Sequence, residues 1–383
     1  VQGGSASLAG VPGAEPPPST PPLDAPRATW SACARSVWGE TMRRFIVAAL
    51  VAVVGLTVGV AQAQNAAGPT LSAIQKKGKL ECAVPSITPG FGFVDSKGDF
   101  KGLDVDTCRA VAAAVFGDAS KALFVPLSGA QRLPNLQSGQ VDLVIQTMTQ
   151  TLSREAANGL LFTGVNYYDG QGFLTRKSLG VKTAKDLAGA SICVSAGSTS
   201  ELNLADWAAS TGTKVQPVVF ERNEEGRQAY DKGRCDAYST DASQLAGMAT
   251  VMHDPDNQLI LPDVISKEPL GPAVRQGDDQ WYLIVKWTLN ALLEAEELGI
   301  TQANVEEKLT SSDARVKRLL GVVGDFGKFM ALDNRWAFNA IKAVGNYGEM
   351  FDRNMGANSP LKMPRGKNAL WKDGGLMYSA PIR

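Results

Sequence analysis

Apolar and polar positions divide the chain into stretches of different character. Residues 1–41 show no apolar period, and seven of the twenty prolines lie between Pro12 and Pro26, a composition that cannot bury a core. A continuous apolar run follows from Phe45 to Val60. From residue 80 onward, short apolar runs alternate with longer segments of helical period. That alternation predicts an α/β fold with a mainly parallel sheet.

In the first α/β unit, residues 80–84 read as a strand closed by Pro85. Gly102 opens a helix that runs through Phe116 and stops at Gly117, with Asp104 and Asp106 in the first turn, where carboxylates suit the helix dipole. Residues 124–127 predict a second strand and 133–138 a helix ending at Gly139. Residues 141–145 form an unbroken apolar strand, the pattern of a sheet covered on both faces. The same grammar then repeats. Residues 182–187 read as helix, 191–195 as strand, and a helix begins at Gly197-Ser198-Thr199-Ser200-Glu201. Residues 215–220 read as strand, 222–231 as helix and 235–239 as strand. Residues 269–274 suit a strand returning to the first unit. Residues 281–298 predict a strong helix, apolar at Trp281, Ile284, Val285, Leu289 and Leu292 and stopped by Gly299.

The amino-terminal pattern changes how the chain is counted. Met42 is the first methionine. Arg43-Arg44, the apolar run and Ala61-Gln62-Ala63 then follow in the order of an export signal with its cleavage site. The expectation is that 1–41 is a spurious or disordered extension, 42–63 a signal peptide cleaved after Ala63, and the mature protein a periplasmic one. Five cysteines then sort themselves: Cys33 falls in the discarded region, leaving Cys82, Cys108, Cys193 and Cys235. An even count in an exported chain reads as disulfides. Three connectivities are open. The sequence-near pairs Cys82–Cys108 and Cys193–Cys235 are preferred, since each would staple one unit and leave movement between units free.

Composition mainly excludes. The 38 basic and 38 acidic residues cancel, which gives no field for nucleic acid. The single histidine, His253, sits in a turn-like stretch and leaves no metal site or Ser-His-Asp arrangement, so neither a cofactor nor a metal is expected. Two polar clusters remain. Thr147-Met148-Thr149-Gln150-Thr151-Leu152-Ser153-Arg154 follows the 141–145 strand, and ligands of open α/β sheets bind beyond carboxyl strand ends. Its hydroxyls and guanidinium fork suit a small carboxylate. In the second unit, Ser198 to Glu201 opens a helix whose free N–H groups can hold an anion, while also fitting an ordinary capping box. Asp241 places a carboxylate at the end of the 235–239 strand, where it could equally cap the next helix. Together the clusters describe the backbone end of a free α-amino acid: a carboxylate for Arg154, Thr149 and the Thr199 amide, and an ammonium for Asp241.

At these residues the chain resembles the periplasmic amino-acid-binding proteins of ABC importers, and within them the general L-amino-acid-binding branch. The signs are Gly102-Leu103-Asp104-Val105-Asp106-Thr107-Cys108-Arg109-Ala110, Tyr167-Tyr168-Asp169-Gly170-Gln171-Gly172-Phe173 and Gly233-Arg234-Cys235-Asp236-Ala237-Tyr238. Asp278-Asp279-Gln280-Trp281, Val344-Gly345-Asn346-Tyr347-Gly348-Glu349 and Gly374-Gly375-Leu376-Met377-Tyr378 continue them over nearly all of 70–383. The resemblance implies a two-lobed periplasmic binding protein fold of type II, with two crossover hinge strands and a C-terminal helical extension. It divides the chain into 64–173 (first lobe), 174–269 (second lobe) and 270–383 (return to the first lobe plus the extension), with crossings near Gly172-Phe173-Leu174 and Leu270-Gly271-Pro272.

The resemblance further implies that Thr149 and Arg154 hold the ligand carboxylate, helped from the second lobe by Thr199, with Ser198 also among the ligand-binding residues. Thr147 and Asp241 would meet the ammonium, and Phe91 would lie against the ligand side chain. Where the branch usually has an aromatic, this chain has Gln150. The implied function is capture of free L-amino acids by hinge closure and delivery, as a monomer, to a membrane permease and its ATPase. A dehydratase of cyclic amino-acid precursors on the same fold is the enzymatic alternative, and would need a catalytic acid beside the carboxylate clamp. An amino-acid sensor domain is a further alternative.

Overall fold

A computed structural model describes residues 66–383. The expected extension, signal peptide, cleavage site and Cys33 lie outside the described residues. No described helix is long and apolar enough to cross a membrane.

Two five-stranded sheets organise the chain. In the first, Ala122–Val125, Leu80–Ala83 and Leu143–Val144 run parallel, and Ala273–Arg275 then lies antiparallel between Leu143–Val144 and Leu160–Phe162. In the second, Gln216–Phe220, Ser191–Ser195 and Ala237–Asp241 are parallel, and Gln171–Arg176 and Gln258–Ile260 close it antiparallel. Each sheet is thus a parallel core finished by two antiparallel strands, one of which, Ala273–Arg275 or Gln171–Arg176, arrives from the other half. Between the sheets lies a two-stranded antiparallel ladder of Tyr167–Asp169 with Glu268–Leu270. This is the two-lobed fold with its pair of crossing strands.

The first crossing lies earlier than Gly172–Leu174. Gly172 and Phe173 already pair with Thr240 and Ser239 inside the second sheet. The expected return strand over 269–274 is two strands, because Gly271 and Pro272 interrupt it. A Cβ on Gly271 would lie 2.0 Å from the carbonyl oxygen of Gly164, so only glycine lets the two crossing segments approach so closely. Strands on the sheet edges shift by one or two residues. The 141–145 run pairs only at Leu143 and Val144, and 182–187 is a short 3-10 turn over Ala184–Leu187.

Both preferred cysteine pairs are disulfides. Cys82 on the first strand joins Cys108 on the helix Leu103–Phe116, and Cys193 joins Cys235 within the second sheet's unit, with Cα–Cα distances of 6.3 and 5.7 Å. The helix Asp279–Glu297 is capped by Asp278, which accepts from Trp281 N at 2.9 Å, and the Trp281 indole donates to Asp142 O. The C-terminal residues are part of this core. The helix Trp336–Val344 packs along Leu103–Phe116, and Tyr347–Asn354 begins with a capping box of Asn346 and Glu349. Arg365 lies over the rings of Tyr347 and Phe351 and pairs with Glu296 at 3.0 Å. Asn368 reaches the hinge itself: its side chain accepts from Tyr168 N (2.6 Å) and donates to Tyr168 O (3.1 Å).

Candidate functional site

The carboxyl ends of the parallel strands of both sheets face one cleft, which places the polar clusters opposite each other. From the first lobe, the 147–151 loop is laid along the second crossing strand: Gln150 N donates to Pro269 O, Gly271 N to Met148 O, and Thr149 bridges Leu270. Thr147 holds a left-handed φ of 42° there, and its N–H donates to the buried carboxylate of Asp104 at 2.9 Å. Burial pushes Asp104 up to about 7, against the stabilising bonds from Thr147 N and the Asn166 amide. Thr151 caps the short helix Leu152–Ala156 by accepting from Arg154 N. That helix turns the Arg154 guanidinium inward, 7% exposed, to donate to Thr149 O at 2.6 Å.

From the second lobe, Ser198 caps the helix Thr199–Thr211 by accepting from Glu201 N at 3.2 Å, while Glu201 accepts from Gly197 N. The expected capping box is thus only half formed, because Glu201 takes the N–H of Gly197 and not that of Ser198, and the Thr199 hydroxyl is left facing inward. The two lobes touch at their threonines: Thr149 Oγ1 and Thr199 Oγ1 are 3.2 Å apart. Thr88, Arg132, Thr147, Thr149 and Arg154 on one side and Ser198, Thr199, Thr240 and Gln244 on the other wall a small inner cavity of about 40 Å³. Through Pro85, Thr88, Gln146 and Asn223 it adjoins an outer chamber of about 500 Å³, bounded by Leu127 and Gln131 opposite Glu221 and Arg222.

Of the expected residues, Thr147, Thr149, Arg154, Ser198 and Thr199 share this inner wall. Asp241 lies just behind it, 3% exposed, with its carboxylate taken by the Gln244 amide rather than by a helix cap. Phe91 is not in the wall. It is fully buried in the core, edge-on to Tyr167 at 5.1 Å, because the hairpin of Ile87–Thr88 and Gly92–Val94 turns it under the hinge and presents Thr88 instead. Gln150 points away and donates to Glu155. His253 is exposed on a loop, as its turn-like setting predicts.

Sequence reasoning missed Arg132, Asp169 and Glu268. Arg132, 8% exposed, donates to the carbonyls of Gly129 and Gln146. Burial lowers its guanidinium to about 9, with Arg154 adding to the effect and Asp241 and Asp104 opposing it. Burial lowers Arg154 too, opposed by Glu268 and Asp241. Glu268, 1% exposed, stands directly opposite Asp169 in the hinge ladder. It accepts from Thr149 Oγ1 (2.6 Å), Thr199 Oγ1 (3.0 Å), Asn203 Nδ2 (2.7 Å) and Ser266 Oγ (2.5 Å). Asp169 is bonded by the Ser243 hydroxyl, and burial, with Glu268 adding, raises it to about 6. Asp241 is raised well above the usual carboxylate value by burial, then by Asp169 and Glu268. Arg132 stands as a lone charge beside Leu133, whereas Glu268 follows Lys267 directly before the expected return strand, where nothing local marks it.

Residues 80–304 match the bacterial extracellular solute-binding proteins, family 3. The chain belongs to that family. The general L-amino acid-binding periplasmic protein AapJ of Rhizobium johnstonii is 50% identical over 336 residues, covering 87% of this chain and 98% of that protein. The glutamate/glutamine/aspartate/asparagine-binding protein BztA of Rhodobacter capsulatus is 47% identical over 334 residues, covering 87% and 97%. A solved ABC transporter periplasmic binding protein from Brucella ovis, with glutathione bound, is 52% identical with a TM-score of 0.81, covering 82% of this chain and 100% of that one. A family 3 solute-binding protein is an extracellular one.

Proposed function

We propose that this protein is the periplasmic substrate-binding component of an ABC importer for free L-amino acids of broad range, cleaved after Ala63 and monomeric. It is read as a carrier and not an enzyme. The observation that carries the reading is the pairing of a buried guanidinium at Arg154, in the wall of the inner cavity, with a buried carboxylate at Asp241 just behind that wall: an anion site and a cation site for one zwitterion. Arg154 holds the ligand carboxylate, with Thr199 N–H at the start of its helix. Asp241 holds the ammonium, with Thr147 and Thr88 lining the approach. Closure about the Tyr167–Asp169 and Glu268–Leu270 strands removes water from both ion pairs and presents a closed form to the permease and its ATPase. The lobes divide at those strands. The AapJ and BztA names support amino-acid ligands.

Melting shifts against the amino acids test this. A ligand at a hundred times its Kd stabilises by about 2.7 kcal/mol. Shifts with many L-amino acids are expected, and none with any would defeat the reading. Glutathione belongs in the panel, since the Brucella ovis protein has it bound and the 500 Å³ chamber leaves room beyond the amino-acid end. One observation favours a second reading: Glu268 is an acid beside the Arg154 clamp, as a dehydratase of cyclic amino-acid precursors needs. Release of aromatic product from prephenate or arogenate in the same panel would establish it.

Binding is also expected to depend on pH. An ammonium pairs only with an ionised Asp241, so affinity should rise as pH climbs through the raised folded value of Asp241, with release of protons. The empty protein should behave oppositely. Asp169 and Asp241 are raised in the fold, so their contribution to stability is present below the unfolded value near about 3.9 and is lost as pH rises through the folded value, about 6 for Asp169. The ligand-induced melting shift should therefore be larger at pH 8 than at pH 5.5. Equal shifts would remove the carboxylates from the ammonium site.

A further inference from the structure

Thr149 Oγ1, Thr199 Oγ1 and Glu268 Oε2 form a closed triangle with sides of 2.6, 3.0 and 3.2 Å. Two hydroxyl protons serve its three sides, because a carboxylate only accepts. The two shorter sides both end on Glu268, so both protons are spent there. The third side, between the threonines, is left as lone pair against lone pair. Glu268 cannot turn away, since Asn203 and Ser266 hold its other oxygen. Both threonines wall the inner cavity, so toward the cleft their hydroxyls can only accept.

We propose that Glu268 sets the polarity of the cleft: by taking the protons of Thr149 and Thr199 it turns both hydroxyls into acceptors for the ligand's ammonium, and leaves the ligand's carboxylate to Arg154 and backbone N–H groups. The proposal rests on the amino-acid reading and gives the two threonine hydroxyls the opposite role to the one the family resemblance implies. It also gives the hinge a part in recognition. Glu268 lies on a crossing strand, so the orientation of the lobe-one and lobe-two hydroxyls is fixed together when the lobes meet. Glu268 is a positioning residue, acting through the threonines.

Glu268→Gln reverses the arrangement. Asn203 and Ser266 both donate to the Oε1 position, so the amide oxygen goes there and the amide nitrogen faces the threonines. The nitrogen then donates to them, and their protons turn toward the cleft. Calorimetry on the whole protein would compare an L-amino acid that the wild type binds, its α-amide and its des-amino acid, the last by displacement at high concentration. In Glu268→Gln, the amino acid and its amide should each lose about tenfold or more, the worth of hydrogen bonds to a charged group. The des-amino acid should bind as before or tighter. An equal loss for all three, or no loss for the amino acid, would overturn the proposal. Absence of any amino-acid binding by the wild type would instead defeat the function on which it rests, and the proposal with it.

Discussion

Arg154→Ala is expected to weaken amino-acid binding about a hundredfold or more while leaving the melting temperature of the empty protein near that of the wild type. The two halves of this result have separate causes. In the bound state the guanidinium faces a desolvated carboxylate, and truncating one member of such a pair costs about 2–5 kcal/mol, much of it the penalty of leaving the other charge buried alone. In the empty state Arg154 donates within the described residues only to the Thr149 carbonyl and to no carboxylate. Burial without a partner lowers its basicity, so the empty fold gains little from the charge. Titration calorimetry and thermal melting read the two separately. Unchanged affinity would remove Arg154 from the ligand. A large fall in melting temperature would make it a structural residue.

The second large effect concerns stability. Replacing Cys82 and Cys108 by Ser should cost roughly 3.5 kcal/mol, and replacing Cys193 and Cys235 roughly 4 kcal/mol, by the loop-entropy relation applied to separations of 26 and 42 residues. Chemical denaturation of the oxidised wild type against each double variant measures this. Affinity should change far less, because each bridge lies within one unit and neither joins the lobes. A double variant with wild-type stability would show that the reduced unfolded chain is already as restricted as the oxidised one. A variant that kept its stability but lost binding would show that the bridge acts on closure.

The parts of this fold that were legible in the sequence are those whose causes are local. Gly102 and Gly117 bracket the helix Leu103–Phe116, and Ser198 with Glu201 announces the start of Thr199–Thr211. The cysteine pairs lie near each other in the chain. Arg154 and Thr149 belong to one strand end and could be read together. What could not be read depends on register between distant segments. Glu268 is 119 residues from Thr149, and only the pairing of Glu268–Leu270 with Tyr167–Asp169 brings it there. The same pairing places the first crossing before Gly172. Phe91 failed for a different reason: an aromatic in a loop can face the ligand or the core, and the hairpin turn decides which.

The contact between Asn368 and Tyr168 guards an edge of the crossing ladder. A two-stranded ladder has two raw edges, and raw edges invite strands from other molecules. Here neither is raw. Asn368 occupies the N–H and carbonyl of Tyr168 on one side, and Gln150 N takes the Pro269 carbonyl on the other, where proline itself has no N–H to offer. The backbone groups on both edges stay engaged, and one guard is a side chain from the C-terminal region. The C-terminal region thus works like the selvage of a cloth: it keeps the narrow seam between the two sheets from being the part that unravels.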